Sequence, residues 1–196
     1  MRRSSRHARF QFLLGSRPGG TNVGFVYSGD NRFFNYNGRL TFVPGEGIIP
    51  PTEDGTWTIC WSGWQYVHTE EDAQGPMDLP NGRPDLQGAG VFWRLGFADD
   101  DTNPVEWSFS AGLGGRGIIP KRDNDVFGVG CFYASLVTTR FTGILGIGDH
   151  VQGLEVFYNV AVTPATQLSF DLQLIDSAAS ALDTAVILGV RLMLNF

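Results

Sequence analysis

The chain has 196 residues, with 14 Lys+Arg against 20 Asp+Glu and a formal charge of -6. Nucleic-acid binding needs a basic surface, so no DNA or RNA partner is expected. Charged residues are only 17% of the chain, apolar ones 42% and aromatic ones 13%, which excludes a disordered acidic segment. No stretch approaches the roughly 18 to 20 apolar residues of a membrane-crossing helix, which leaves a soluble domain or a β-barrel.

The start, Met1-Arg2-Arg3-Ser4-Ser5-Arg6, has the charge of a secretion leader. Phe10 to Leu14 is too short for the apolar run of about 7 to 15 residues that should follow, so either the leader is missing or the protein stays inside. Residues 1–7 are read as a basic, disordered start, and 1–196 as a single domain, with no fixed-period repeat and no compositional break.

Twenty-six glycines and 10 prolines divide the sequence into segments of period-two alternation, the signature of strands with two unlike faces. Segments near 8–14 and 22–28 come first. In the next, Phe34, Tyr36, Leu40 and Phe42 alternate with Asn35, Asn37, Arg39 and Thr41. Residues 56–67 change phase, because Trp57, Ile59 and Trp61 oppose Trp64 and Tyr66, which predicts a bulge at Gly63. Ala89, Val91, Trp93, Leu95 and Phe97 form one stripe, and Val105, Trp107, Phe109, Ala111 and Leu113 another, joined by a turn at Asp99 to Pro104. A strand near 126–136 follows. Leu154, Val156, Tyr158, Val160 and Val162 then lead through a tight turn at Thr163-Pro164-Ala165 into Leu168, Phe170, Leu172 and Leu174. The alanine-rich Ser177 to Leu182 is too short for an independent helix and reads as a loop. Val186, Leu188, Val190, Leu192, Leu194 and Phe196 close the chain opposite Gly189, Arg191, Met193 and Asn195.

The reading is all-β, with nine or ten antiparallel strands. In a soluble sandwich the apolar stripes look inward; in a membrane barrel they meet lipid and the polar stripes line a wet lumen. Three features favour the barrel: apolar stripes over about 9 to 11 residues, the length of a tilted transmembrane strand; polar stripes poor in Lys and Glu; and an ending at Phe196 on an alternating strand, as in outer-membrane barrels.

Several stretches resemble the carbohydrate-selective porin family called OprB. They are Gly96-Phe97-Ala98-Asp99 with Asn103-Pro104-Val105-Glu106-Trp107, Gly112-Leu113-Gly114-Gly115-Arg116-Gly117-Ile118-Ile119-Pro120, Arg122-Asp123-Asn124-Asp125 and Phe127-Gly128-Val129-Gly130. Glu155-Val156-Phe157-Tyr158-Asn159, Val162-Thr163-Pro164, Asp171-Leu172-Gln173, Asp183-Thr184-Ala185-Val186 and Leu188-Gly189-Val190-Arg191 continue the match in collinear order over residues 56–196. The resemblance implies a sixteen-stranded barrel of the bacterial outer membrane that passes mono- or oligosaccharides by diffusion, surrounded by outer-membrane lipid and usually trimeric. This chain holds only the C-terminal half of such a barrel, so its sheet must close as a smaller barrel, pair with another chain, or be a truncated product.

With Phe196 on the periplasmic side, Asp176 to Asp183 and Val137 to Gln152 fall outside the cell, and Thr163 to Ala165 and Gly114 to Asp125 in the periplasm. The long connection His68 to Gln87 also falls on the periplasmic side, against the rule that turns there are short, which suggests a miscounted strand. Arg39, Arg94, Glu106, Glu155, Asp171 and Arg191 interrupt polar stripes and are expected to face the lumen, where fixed donors and acceptors suit sugar hydroxyls. Phe92 and Phe157 fall on the same side and offer apolar faces to pyranose rings; any single one of the charges reads more simply as a solvated wall residue, and only the set suggests selectivity. Trp93, Trp107, Tyr158 and Phe170 point outward.

No catalytic, metal or cofactor site is expected: the three histidines lie in connections or the basic start, and no nucleophile motif occurs. Asp99-Asp100-Asp101 reads as a turn, Gly112 to Gly117 as glycines that let a strand bend, and Cys60 and Cys131 as packing residues. The alternative reading is a soluble all-β carbohydrate-binding module.

Overall fold

A computed structural model describes residues 3–69, 87–139, 142–143, 146–179 and 181–195. Phe196 and most of the His68 to Gln87 connection lie outside the described residues. Among those described, the strands in chain order are β1 (Arg3–Leu14), β2 (Arg17–Phe34), β3 (Thr41–Val43), β4 (Gly47–Ile49), β5 (Thr52–Thr69), β6 (Gly88–Ala98), β7 (Val105–Arg116), β8 (Val126–Leu136), β9 (His150–Thr163), β10 (Thr166–Asp176) and β11 (Ala185–Leu194). All but β3 and β4 form one nine-stranded sheet in the order β1-β2-β5-β6-β7-β8-β9-β10-β11. Every pairing is antiparallel, and the sheet is open, with β1 and β11 at its edges.

Each strand packs only against its hydrogen-bonded neighbours, so among the described residues no second layer covers either face. Among the described residues no hydrophobic side chain is buried. The chain exposes 13568 Å², against about 9,200 Å² expected of a compact soluble chain of its mass. On β11, Leu188 is 79% exposed, Val190 72%, Leu192 62% and Leu194 50%. A sandwich would bury these side chains against a facing sheet. The alternative of a soluble module therefore lacks the core that water would require.

The alternation survives intact across the sheet. Register carries one polar row from Ser62 through Arg94 and Ser110 to Phe132 and Gly153, and a second from Trp64 through Phe92, Gly112 and Gly130 to Glu155 and Gln173. The opposite face carries Phe25, Ile59, Phe97 and Trp107, and further along Trp61, Leu95, Phe109 and Tyr133.

Several local expectations are corrected. The basic start is not disordered from Arg3 onward: Arg3 to His7 pair with Gly24 to Ser28, because the extended backbone satisfies its hydrogen-bonding groups there whatever the side-chain charge. Phe34 to Phe42 is not one strand. The Asn35 Oδ1 accepts from the Asn37 N–H at 2.9 Å and the Asn35 carbonyl accepts from the Gly38 N–H at 3.3 Å, which turns the chain away from the sheet. Thr41 to Val43 then pairs with Gly47 to Ile49 as a separate hairpin, whose turn needs the positive φ of Gly45 (90°) and Gly47 (88°). Gly63 carries no bulge; β5 keeps regular register through it, and the irregularity comes later, between Tyr66 and His68. β7 runs on to Arg116, so Gly114 to Arg116 are strand and not connection, and His150 to Gln152 belong to β9.

The connection after Thr69 leaves the sheet at the same end as the tight turns at Gly15-Ser16 and Pro164-Ala165. Among the described residues no strand lies between β5 and β6, which pair directly. The Ser177 to Leu182 segment is a loop as expected, tied down by the Ile147–Ala179 bridge, with residue 180 outside the described residues.

Candidate functional site

The polar face is the candidate site, and aromatic rings lying over glycines shape it. The Phe92 ring lies over Gly112 and reaches Gly130, Phe132 covers Gly153, Phe157 covers Gly128, and the Trp64 indole covers Gly20. In each case the glycine's missing side chain leaves the space that the ring from the next strand fills. Of the β7 glycines, Gly112 lies under Phe92 on this face and Gly115 under Phe127 on the opposite, apolar face.

Two depressions lie along these rows. One, of about 710 Å³, runs across β1, β2, β5 and β6 and is lined by Arg9, Gln11, Asn22, Ser62, Trp64, Tyr66, Phe92 and Arg94 among others. The second, of about 200 Å³, lies between Phe92 and Glu155 and includes Phe132 and Gln173.

The sequence-derived candidates divide accordingly. Phe92 and Arg94 sit on β6, in the first depression. Glu155 and Phe157 on β9, Asp171 on β10 and Arg191 on β11 form a second group, with Asp171 in register with Phe157 and Gly189, and Arg191 with Ser169. Glu106 is the extra residue of a bulge between Val105 and Trp107, and its Oε2 accepts from the Ser135 hydroxyl at 3.2 Å. Arg39 is not on a strand face: it lies exposed in the connection between β2 and β3, because the Asn35 turn has already taken the chain out of the sheet.

Reading the sequence alone missed Arg9, Asn22, Ser62, Trp64 and Tyr66. The signal was present for the last two, which share the parity of Thr58, Cys60 and Ser62, and was mistaken for a phase break because both faces of β5 are aromatic. Trp93 and Trp107 lie on the apolar face as expected. Trp93 packs edge-on against Trp61 with centroids 5.9 Å apart, and Trp107 stands 5.0 Å from Tyr133, which stacks on His150 at 5.4 Å.

Polar clusters hold both ends of the wall. At the tight-turn end, Asp125 is only 5% exposed. It accepts from the Tyr158 hydroxyl at 2.6 Å, the Arg122 Nε at 2.7 Å and the Ala161 N–H at 2.9 Å, which fastens the β7–β8 turn to β9. Burial pushes the Asp125 carboxyl up, but the bonds from Tyr158, Ala161 and Arg122 outweigh it and hold the group below its ordinary value. At the other end, Thr102 Oγ1 donates to Thr56 Oγ1 at 2.7 Å and Asn103 Nδ2 donates to the same oxygen at 2.9 Å. Asp99 to Asp101 form the expected turn there: the Asp99 carbonyl accepts from the Thr102 and Asn103 N–H groups, and Asp101 Oδ1 accepts from Asn37 Nδ2 at 2.9 Å.

Comparison with known proteins agrees with this geometry. Among solved structures, that of Pseudomonas putida OprB at high pH superposes with a TM-score of 0.76 at 17% sequence identity, covering 98% of this chain and 48% of that chain. At this identity the likeness establishes the fold, and the chain spans about half the length of that porin. Comparison with curated proteins finds no match. The carbohydrate-selective porin, OprB family matches residues 75–196, well over half of the sequence. With that match added to an open porin-like sheet, the chain belongs to the carbohydrate-selective porin, OprB family.

Proposed function

We propose that this chain forms part of the wall of a bacterial outer-membrane channel through which carbohydrates diffuse, with its apolar face against lipid and its polar face against water. The observation that carries the reading is a single-layer sheet whose hydrophobic stripe is covered by nothing among the described residues, because only an apolar solvent makes such a stripe stable. The tight-turn end is periplasmic, by the general rule that barrel turns are short there. Sugar is the solute that suits the polar face: flat rings at Trp64, Phe92 and Phe157 meet the apolar side of a pyranose, and the Arg, Glu, Asp and amide groups around them meet its hydroxyls.

Closure follows from strand parity. Nine antiparallel strands leave β1 and β11 running the same way. An antiparallel seam at both edges therefore needs an odd number of added strands, the first and last running opposite to β1. A second copy inserted in the same orientation offers only parallel seams. Unpaired edges cost several kcal/mol per group in lipid, so the conducting assembly pairs both edges; three such barrels form the family-type trimer.

Conductance in planar bilayers tests the reading. Channels whose current falls as maltose or glucose is added support it. Folded, membrane-inserted protein that conducts without any response to sugar overturns the choice of solute. A chain that stays monomeric and soluble without detergent overturns the membrane placement.

A further inference from the structure

The first depression has a charge pattern that a neutral sugar does not need. Arg9, Asn22, Ser62 and Arg94 stand in register on four successive strands of the polar face. Three strand spacings put the two arginine Cα atoms about 14 Å apart, which leaves room for one pyranose between the guanidinium heads. The next row toward the tight turns carries Trp64, lying over Gly20, and Phe92, lying over Gly112. Among the described residues no aspartate or glutamate lines this depression. Among the described residues neither Arg9 nor Arg94 makes an ion pair or hydrogen bond, so both keep their donors for a ligand.

We infer that this depression is a subsite for an acidic sugar, a pyranose carrying a carboxylate, with the anion bound by Arg94 or Arg9 and the ring face laid on Trp64. The inference rests on the carbohydrate reading above and narrows it to an anionic subclass. A guanidinium binds a carboxylate through two parallel N–H donors, a geometry that a hydroxyl pair matches poorly. Asn22 and Ser62 lie between the arginines and supply the neutral contacts that any sugar would use. The second depression, where Glu155 lines the wall, repels the same anion, so the site is directional along the sheet.

Calorimetric titration of the detergent-solubilised chain with glucuronate, glucose and acetate at fixed ionic strength tests this. Glucuronate is expected to bind about tenfold more tightly than glucose, and acetate to bind far more weakly than either. Arg9→Gln and Arg94→Gln are expected to bring glucuronate down toward the glucose level while glucose itself changes little, and Arg94→Lys to retain part of the preference. Heat-dependent gel mobility checks that each variant is folded, and the wild-type comparison stands without any variant. Equal binding of glucose and glucuronate, a preference that survives both Gln variants, or acetate binding as well as glucuronate overturns the acidic-sugar site. Glucose binding without a preference leaves the carbohydrate reading intact, whereas folded protein that binds neither sugar removes both.

Discussion

On the proposed membrane placement, two adjacent positions on β10 separate a lipid-facing stripe from a wet one. Leu172 lies on the apolar face, in register with Val156 and Leu188, while Gln173 lies on the polar face, in register with Glu155 and Ile187. The strand holds 11 residues. At about 3.4 Å per residue and a tilt of about 40°, it climbs roughly 26 Å, the height of a barrel's apolar band, with Leu172 about 3 Å from its midplane. Arginine at that depth costs about 2 to 4 kcal/mol on a lipid-facing position, a roughly thirtyfold to thousandfold loss in the folding constant. Arginine at 173 meets water and the Glu155 carboxylate, and its effect stays within about 0.5 kcal/mol.

Leu172→Arg and Gln173→Arg are compared by urea-dependent folding into phosphatidylcholine vesicles, with heat-dependent gel mobility as the measure of folded fraction. The expected result is a large shift for Leu172→Arg alone. Equal costs at both positions would refute the assignment of faces. So would a Leu172→Arg variant that becomes soluble and folded without detergent, since an exposed leucine on a water-facing sheet is improved by a charge.

Asp125→Ala removes the acceptor shared by Tyr158, Arg122 and the Ala161 N–H, and is expected to lower stability in the same folding assay by about 2 kcal/mol. Because the folded Asp125 carboxyl lies below its ordinary value, the wild-type advantage is complete above about pH 4 and disappears as pH falls through the depressed folded value; an advantage that instead grows on acidification would contradict this. Trp64→Ala is expected to weaken sugar block of the channel several-fold, read as the concentration that halves the current, with little change in the conductance of salt alone. Gly112→Val places a side chain against both the Phe92 ring and the Val129 carbonyl, and is expected to destabilise by about 1 to 3 kcal/mol and to displace Phe92, seen as a lower urea midpoint together with weaker sugar block.

How much could be read from sequence depended on whether information was local. The stripe of β11, from Val186 to Leu194, declares its faces within ten residues, and the exposure of those side chains follows from it. Arg94, Glu155, Asp171 and Arg191 were placed by the same parity count. Arg39 failed because a two-residue hydrogen bond at Asn35 ended the strand before the alternation did. Trp64 and Tyr66 failed because both faces of β5 carry aromatic residues, so an unbroken alternation read as a phase break at Gly63. The row joining Arg9 to Arg94 lay beyond any local signal, since register between β1, β2, β5 and β6 is fixed by turn geometry and strand pairing, and a slip of one residue would have sent one arginine to the opposite face.

A sheet without a second layer must obtain rigidity within its own plane, and the ring-over-glycine pairs show how this wall does it. Phe92 on Gly112, Phe132 on Gly153, Phe157 on Gly128 and Trp64 on Gly20 each bridge two strands. Cross-strand contacts of this kind contribute about 0.2 to 1 kcal/mol apiece. On the proposed reading the aromatic positions serve stability and solute contact together, so substitutions there are expected to change both. Arg9 and Arg94 brace nothing among the described residues, so their replacement can change which solutes are preferred while the folded wall stays as it is. If the sheet selects solutes as proposed, that selectivity can vary at the charges while the rings and glycines remain fixed.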